Sequence, residues 1–245
     1  MKILSVEGIL KFASYRNKYD LLSNNIARKI FEMIKNNYEN KANIKESFYE
    51  EIENNNDKME QYTIDVSVKF NTGINRKIQI DSKFDYPYGQ VEPIIDIKIL
   101  LNKDFTKQDI ERSYWWIYDS VRHEYEHFDK YLDNFLPDEE YYKTIQSLDK
   151  LNLQDIEKAK LIARYVLNPA EIDSYAKSIM YVAKKRKIPY GFVINDIIER
   201  ALFSKEINEN MRNNKEIVDI MNQIKEGLSK QIQIRYPKVT LRRDF

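Results

Sequence analysis

The stretch His123-Glu124-Tyr125-Glu126-His127 contains both histidines of the 245-residue chain, four residues apart, with a glutamate directly after the first. Chance gives this arrangement roughly once in a thousand chains of such composition, so the pattern is informative. An α-helix turns about 100° per residue, and side chains four positions apart therefore stand on one face. If the stretch is helical, the two imidazoles can converge on a single ligand.

The surrounding sequence predicts a helix over about residues 106–132. Thr106 followed by Asp109 resembles a capping box at its start. Apolar residues then recur in alternating steps of three and four, the period of a buried helix face: Ile110, Tyr114, Ile117, Val121, Phe128 and Tyr131. Glu124 places a carboxylate within this stripe. The opposite side is mostly polar and is expected to face solvent; it carries Trp115, Asp119, Arg122 and Glu126.

Two histidines at this spacing suit a transition-metal ion, in particular Zn²⁺. A catalytic zinc site has three protein ligands, with imidazole nitrogens at about 2.0–2.1 Å, and leaves the fourth position to water. Zinc lowers the pKa of that water from about 15.7 to about 7. Glu124 is the candidate general base for such a water. The alternative is that His123 and His127 are ordinary helix residues with hydrogen-bond partners, and Glu126 is interpreted as ordinary helix charge.

A third protein ligand must be a carboxylate, because the chain has no other histidine and no cysteine. Glu171 has the most favourable surroundings. Asn168 is a candidate N-cap and Pro169 suits the first helical position, so Glu171 is expected in the first turn of a helix over residues 169–185. A glutamate three residues after an N-cap is also the reciprocal half of a capping box, and this structural role stays open. Asp173 is the second candidate ligand.

His123, Glu124, His127 and Glu171 together resemble the zincin metallopeptidases, and among them the gluzincin type, in which H-E-x-x-H on one helix is completed by a glutamate on a later helix. The interval from His127 to Glu171 is longer than in thermolysin-like enzymes and similar to that of the anthrax lethal factor type. Residues 165–176 also look like the second motif of H-E-x-x-H proteins encoded by bacteriophages and bacteria. The metzincin extension, with a glycine and a third histidine, is absent.

The resemblance implies a zinc-dependent peptidase that hydrolyses a peptide or protein substrate. His123, His127 and Glu171 would hold the Zn²⁺, and Glu124 would activate water as general base. The alternative is a non-catalytic or structural zincin-like protein, for example a phage virion or host-interaction module, that retains the metal site. An intact Glu124 favours the enzyme, because a structural site needs no base and normally closes its fourth position.

A peptidase also needs a hydrogen-bond donor for the oxyanion of its tetrahedral intermediate. Tyr165 is the first candidate, because related peptidases are similar in carrying a tyrosine just upstream of the ligand glutamate. Tyr175 and Arg164 are further candidates, and a packing role is open for Tyr165 since the chain has 18 tyrosines. Three carboxylates could accept the remaining ring N–H groups of the ligand histidines; they are Asp119, Asp129 and Asp173.

Alternating apolar residues before the metal helix predict a small, mostly antiparallel sheet. Its strands are expected at residues 62–70, 76–82 and 91–101. The last of these is the candidate edge strand for binding an extended peptide, and Pro93 suits an edge position. An ordinary core strand is the alternative.

Periodicity and capping signals predict further helices on both sides of this sheet. They span about residues 21–38, 155–166, 169–185, 192–208 and 215–232. The expected fold is therefore α+β and zincin-like, with the H-E-x-x-H helix following the sheet and a helical C-terminal half. We expect a single domain over residues 1–245. Its parts are a mainly helical segment (1–60), the sheet with the metal helix (61–135) and a helical part with the third ligand (136–245).

The composition favours a soluble globular protein, with 42% hydrophobic and 32% charged residues. The net charge of +1 gives no general attraction to nucleic acid, and no nucleic-acid or membrane partner is expected. The apolar run at the N-terminus is too short for a signal peptide. A cytoplasmic protein is expected, or a virion-associated one if a phage encodes it, and the absence of cysteine fits either setting.

Overall fold

The computed structural model of the chain describes residues 6–53, 59–74, 76–85, 92–133, 137–148, 153–203 and 207–237. Within them the fold is α+β, as expected, with one four-stranded sheet and seven α-helices. The elements in chain order are α1 (Val6–Asn37), β1 (Ile44–Glu53), β2 (Met59–Thr72), β3 (Ile78–Asp85), β4 (Ile94–Asn102), α2 (Lys107–Leu132), α3 (Glu139–Leu148), α4 (Asp155–Val166), α5 (Pro169–Arg186), α6 (Tyr190–Phe203) and α7 (Lys215–Arg235). A short 3-10 helix, Glu209–Met211, precedes α7.

The chain groups into two compact units, and the boundary between them falls inside α2. The first unit comprises Met1–Thr72 and Ile80–Phe128, and the second comprises Gly73–Gln79 and Asp129–Phe245. Helix α2 therefore contributes residues to both units. The single domain expected over residues 1–245 stays a prediction.

The sheet has the strand order β1-β2-β4-β3. Strand β1 pairs with β2 in antiparallel orientation, whereas β2 and β4 are parallel. The sheet expected to be mostly antiparallel is therefore mixed. Aliphatic side chains that lie opposite one another in the parallel pair are 0–1% exposed; the pairs are Ile64 with Ile95, Val66 with Ile97, and Val68 with Ile99. These side chains form the core on one face of the sheet.

Of the two alternatives for residues 91–101, the edge strand is wrong and the core strand is confirmed. Strand β4 lies between β2 and β3, and alternate side chains from Ile95 to Leu101 are fully buried, as an interior strand requires. Pro93 does not conflict with this position, because it precedes the strand and its carbonyl oxygen accepts a hydrogen bond from Thr63 N over 3.0 Å. Val91, where the predicted strand begins, lies outside the described residues.

Strand β1 falls in the segment that was expected to be mainly helical. Its sequence, IKESFYEEIE, places Ile44, Phe48 and Ile52 four residues apart, a spacing that obscures the two-residue period of a strand. Tyr49 is 79% exposed, as an edge strand with one neighbour permits. The strand is stabilised by its antiparallel pairing with β2 rather than by an apolar repeat of its own.

Helix α2 is buried on all sides from Ile117 to Phe128, so the prediction of a solvated polar side is wrong. Asp119, Arg122 and Glu126 are only 5%, 6% and 2% exposed. Helix α1 covers this side: Arg122 Nε donates to Asp20 Oδ1 over 3.3 Å, and its guanidinium lies 5.8 Å from the centre of the Tyr19 ring. Burial here depends on a helix that is distant in sequence, which the local pattern does not reveal.

The second unit consists mainly of helices, and their observed bounds lie close to the predicted ones. Helix α4 begins and ends where predicted, and α5 and α7 extend one and three residues further than predicted. Helix α6 begins two residues and ends five residues earlier than predicted. Helix α3 was not predicted. The buried face of α7 is a regular aliphatic stripe: Ile217, Ile220, Ile224, Leu228 and Ile232. Gly227 on α7 contacts Leu167 closely, since a Cβ atom at that position would collide with the leucine side chain.

Segment Gly73–Gln79 belongs to the second unit through Arg76. The guanidinium of Arg76 lies 3.4 Å from a carboxylate oxygen of Glu199 and 3.3 Å from one of Glu209. Arg212 contacts the same two carboxylates at 2.5 and 2.8 Å. Each of the two arginines thus contacts both glutamates. These ion pairs hold the residues that lead into β3.

Candidate metal centre

Helix α2 begins with the predicted capping interactions. Thr106 N donates to Asp109 Oδ2 over 2.8 Å, and Asp109 N donates to Thr106 Oγ1 over 3.4 Å. The helix then continues without interruption through His123 and His127, which are 6% and 3% exposed. Their Nε2 atoms lie 3.0 Å apart. The helical spacing therefore brings both imidazoles to one point in a buried environment.

The first turn of α5 places Glu171. Asn168 caps the helix by accepting a hydrogen bond from Ala170 N over 2.8 Å, and Pro169 occupies the first turn as predicted. Glu171 is completely buried, and its Oε1 accepts a hydrogen bond from the Tyr141 hydroxyl over 2.9 Å. The Asn168 side chain thus caps through Ala170, while the Glu171 carboxylate bonds a tyrosine from α3.

His123, His127 and Glu171 each offer one ligand atom, and these atoms all lie within 4.8 Å of one another. This donor set fits zinc, because two imidazoles and one carboxylate are a ligand combination of catalytic zinc sites. Nitrogens 3.0 Å apart can also both lie about 2.0–2.1 Å from one ion. The same separation suits an N–H···N hydrogen bond between the rings in metal-free protein. The arrangement can therefore hold a metal ion.

Glu124, the candidate base, is 3% exposed. Its Oε1 accepts a short hydrogen bond, 2.6 Å, from Ser82 Oγ on β3. A hydroxyl that donates to a carboxylate fixes the orientation of that carboxylate. Ser82 is a residue that the sequence reasoning missed, since contacts between a strand and a helix do not follow from local spacing.

Tyr165, the candidate oxyanion donor, lies in α4 and is half-buried. Its ring stacks on that of Tyr141, with centroids 5.8 Å apart and an interplanar angle of 30°. Tyr141 in turn bonds Glu171. The structure therefore places Tyr165 next to the tyrosine that holds the third candidate ligand. Tyr141 was also missed, because it lies on the unpredicted helix α3.

The other candidates have different surroundings. Arg164 is exposed and Tyr175 is half-buried. Asp173 accepts hydrogen bonds from Arg235 Nη1 over 2.6 Å and from Gln231 Nε2 over 3.3 Å, so the second candidate ligand interacts with α7. Its position is that of a structural ion-pair residue.

The carboxylates that could accept hydrogen bonds from the histidine N–H groups have different surroundings. Asp119 is buried, whereas Asp129 lies 3.9 Å from Lys177 Nζ on α5. Lys177 also approaches Asp173, at 3.7 Å. Asp129 and Asp173 thus take part in a charge network between the end of α2 and helices α5 and α7.

Comparison with known proteins gives no relative: no protein-family model, curated protein or solved structure matches the chain. None of the helices in the described ranges is both long enough and apolar enough to cross a membrane.

Proposed function

We propose that the protein is a zinc-dependent peptidase of the gluzincin type. The observation that carries the proposal is the buried cluster of His123, His127 and Glu171, whose ligand atoms lie within 4.8 Å of one another. Helix α2 supplies the two histidines, and helix α5 supplies the glutamate. Glu124 supports a catalytic role, because a carboxylate directly after the first histidine is the base expected for metal-assisted hydrolysis.

Zinc, when bound, supplies a water whose pKa is lowered to about 7 and a Lewis acid that polarises the peptide carbonyl. Glu124 accepts the proton of the attacking water and returns it to the leaving amine. The hydrogen bond from Ser82 holds its Oε1, so the other oxygen, Oε2, is assigned to proton transfer. Tyr165 is proposed to donate its hydroxyl hydrogen bond to the oxyanion.

We assign the extended substrate to strand β3 rather than to β4. Strand β3 is at the edge of the four-stranded sheet, and an edge strand can pair with an extended peptide through its backbone groups. Ser82 belongs to the same strand and contacts the proposed base. A peptide paired with β3 would therefore lie along the strand that positions Glu124.

A metal site without catalysis is the second candidate function. It is favoured by one observation: the three proposed ligands are only 6%, 3% and 0% exposed, as in a closed structural site. Such a protein would bind zinc for stability and would not require Glu124.

Metal analysis combined with two substitutions separates these functions. The full chain, purified without added metal or a metal-binding tag, is expected to contain about one zinc ion, and Glu171→Ala is expected to lose it. Glu124→Gln keeps the metal and abolishes cleavage of a peptide library. Glu139→Gln serves as control, because its side chain is 83% exposed on α3.

Each outcome has a distinct meaning. Zinc in the wild-type protein together with cleavage that is lost in Glu124→Gln supports the peptidase. The structural site is supported if the wild-type protein contains zinc, Glu171→Ala loses it, and the wild-type protein cleaves no peptide. A chain that binds no zinc even after reconstitution contradicts both.

A further inference from the structure

Tyr141 contacts two residues of the proposed site, Glu171 and Tyr165, from one position. It lies in the first turns of α3 and is 7% exposed. Its hydroxyl donates to Glu171 Oε1 over 2.9 Å, and its ring stacks on Tyr165 at 5.8 Å. Neither partner is near it in sequence, so both contacts are products of tertiary packing.

The hydroxyl contact restricts the Glu171 carboxylate. A buried carboxylate can rotate about its last side-chain torsion, which has a broad energy profile. A hydrogen bond from a packed phenol selects one orientation and costs little entropy, because the ring is already fixed. Groups that hold a metal ligand in this way commonly change metal affinity by about 10- to 100-fold when they are removed.

We propose that Tyr141 is a positioning residue that sets the metal affinity of Glu171. The inference rests on the proposed function, because it requires Glu171 to be a metal ligand. Tyr141 itself is not assigned contact with the metal or the substrate. Its role is to hold the carboxylate in the orientation that binding requires.

The ring contact gives Tyr141 a second, separable effect. Tyr165 is the proposed oxyanion donor, and its ring is held on one side by Tyr141. Removal of the hydroxyl alone leaves this stack in place. Loss of the whole ring removes the stack as well, so comparison of Tyr141→Phe with Tyr141→Leu separates the two contributions.

The test is a zinc titration of the full chain in competition with a fluorescent zinc chelator. Tyr141→Phe keeps the ring and deletes the donor, and we expect its zinc dissociation constant to rise about 10- to 100-fold. Tyr142→Phe is the matched control, because it removes a hydroxyl from the neighbouring residue, whose ring lies 5.5 Å from that of Tyr141. Its dissociation constant is expected to stay within about twofold of wild type.

Tyr141→Leu also lacks the donor, and we expect its zinc dissociation constant to rise at least as much as that of Tyr141→Phe. Its kcat with zinc saturating is expected to fall below that of Tyr141→Phe, because Tyr165 has lost its stacking partner. Urea unfolding of the zinc-free variants separates a loss of stability from a loss of affinity. A purely structural tyrosine would lower the unfolding free energy and leave the zinc dissociation constant unchanged.

The outcomes distinguish this inference from the proposed function. A wild-type chain that binds no zinc contradicts the proposed metal site. Zinc binding by wild type with equal affinity in Tyr141→Phe overturns the inference alone. Equal weakening in Tyr141→Phe and Tyr142→Phe also overturns it, because the effect would then belong to α3 as a whole.

Discussion

Lys130 Nζ, in the last turn of α2, donates to the carbonyl oxygen of Ala170 in the first turn of α5. The same ammonium donates to Ser174 Oγ over 2.8 Å. Lys130 lies three residues after His127, and Ala170 directly precedes Glu171. One side chain therefore ties together the two helices that carry the proposed metal ligands.

Lys130→Met is expected to weaken this connection while keeping much of the side-chain volume. Hydrogen bonds to a charged group contribute about 1.5–3 kcal/mol, and the unfolding free energy of the zinc-free protein should fall by about this amount. Urea unfolding measures the change. Lys143→Met is the control, since Lys143 is 69% exposed and pairs with Glu139, which is also exposed. Equal unfolding free energies of Lys130→Met and wild type would show that Lys130 does not stabilise the contact between α2 and α5.

Arg122 provides a second test of stability, because it forms a buried ion pair with Glu126 one turn later on α2. The side chains of the pair are 7% and 3% exposed. Arg122→Met would leave the Glu126 carboxylate without its cation, and removal of one partner from a buried pair costs about 3–5 kcal/mol. Urea unfolding should show this loss. The exposed pair of Glu139 and Lys143 has the same spacing, and its disruption is expected to change stability little.

The buried hydroxyl of Tyr125 makes the stability of the protein depend on pH in alkaline solution. Its hydroxyl lies 2.9 Å from that of Tyr62, and burial raises the pKa of Tyr125 well above its ordinary value, with a further contribution from Tyr62. Burial likewise raises the pKa of Tyr62. Above a pH of about 10 the unfolded chain loses these protons while the folded chain keeps them. The stability contribution is complete below that pH and is lost as the pH rises.

Unfolding free energies measured between about pH 8 and pH 11 test this sign. The decline should be steeper in wild type than in a Tyr62→Phe/Tyr125→Phe variant. Tyr49→Phe is the matched control, because Tyr49 is 79% exposed and its variant should follow wild type. An equal slope in all three proteins would show that the buried pair is not responsible.

Ser82→Ala addresses the proposed chemistry without touching a proposed ligand. The variant loses the 2.6 Å hydrogen bond to Glu124 Oε1. Because a hydrogen bond to a carboxylate contributes about 1.5–3 kcal/mol, kcat should fall by roughly one to two orders of magnitude. Zinc content should remain that of wild type. Undiminished kcat would remove Ser82 from the positioning of the base, and loss of zinc would indicate a wider disturbance.

The parts of the site that sequence could predict are those fixed by local rules. The four-residue spacing of His123 and His127 determines their convergence once the helix forms, and the cap at Asn168 determines where α5 begins. Elimination gives only a carboxylate as third ligand, because the chain has no other histidine and no cysteine, and the helix start at Asn168 favours Glu171 over Asp173. The structure brings these three candidate ligands together.

The parts that sequence could not predict depend on packing between distant segments. Tyr141 reaches Glu171 only because α3 packs on α4, and Arg122 is buried only because α1 covers that side of α2. The apolar pattern around Ile95 is equally compatible with an edge strand and with an interior strand. Their burial is decided by β3, which lies on the far side of β4.

Glu171 and Asp173 are two carboxylates in the same turn of α5 with different partners. Asp173 bonds Arg235 over 2.6 Å, whereas the Glu171 carboxylate lies in the cluster with His123 and His127. Asp173→Asn should therefore lower the unfolding free energy and leave zinc affinity within about threefold of wild type. Glu171→Gln should weaken zinc binding, since a neutral amide is a poor zinc ligand. It should change the unfolding free energy of the zinc-free protein little, because the substitution preserves side-chain volume. Zinc titration and urea unfolding of both variants measure the two effects, and a loss of zinc in Asp173→Asn alone would exchange the roles assigned to the two residues.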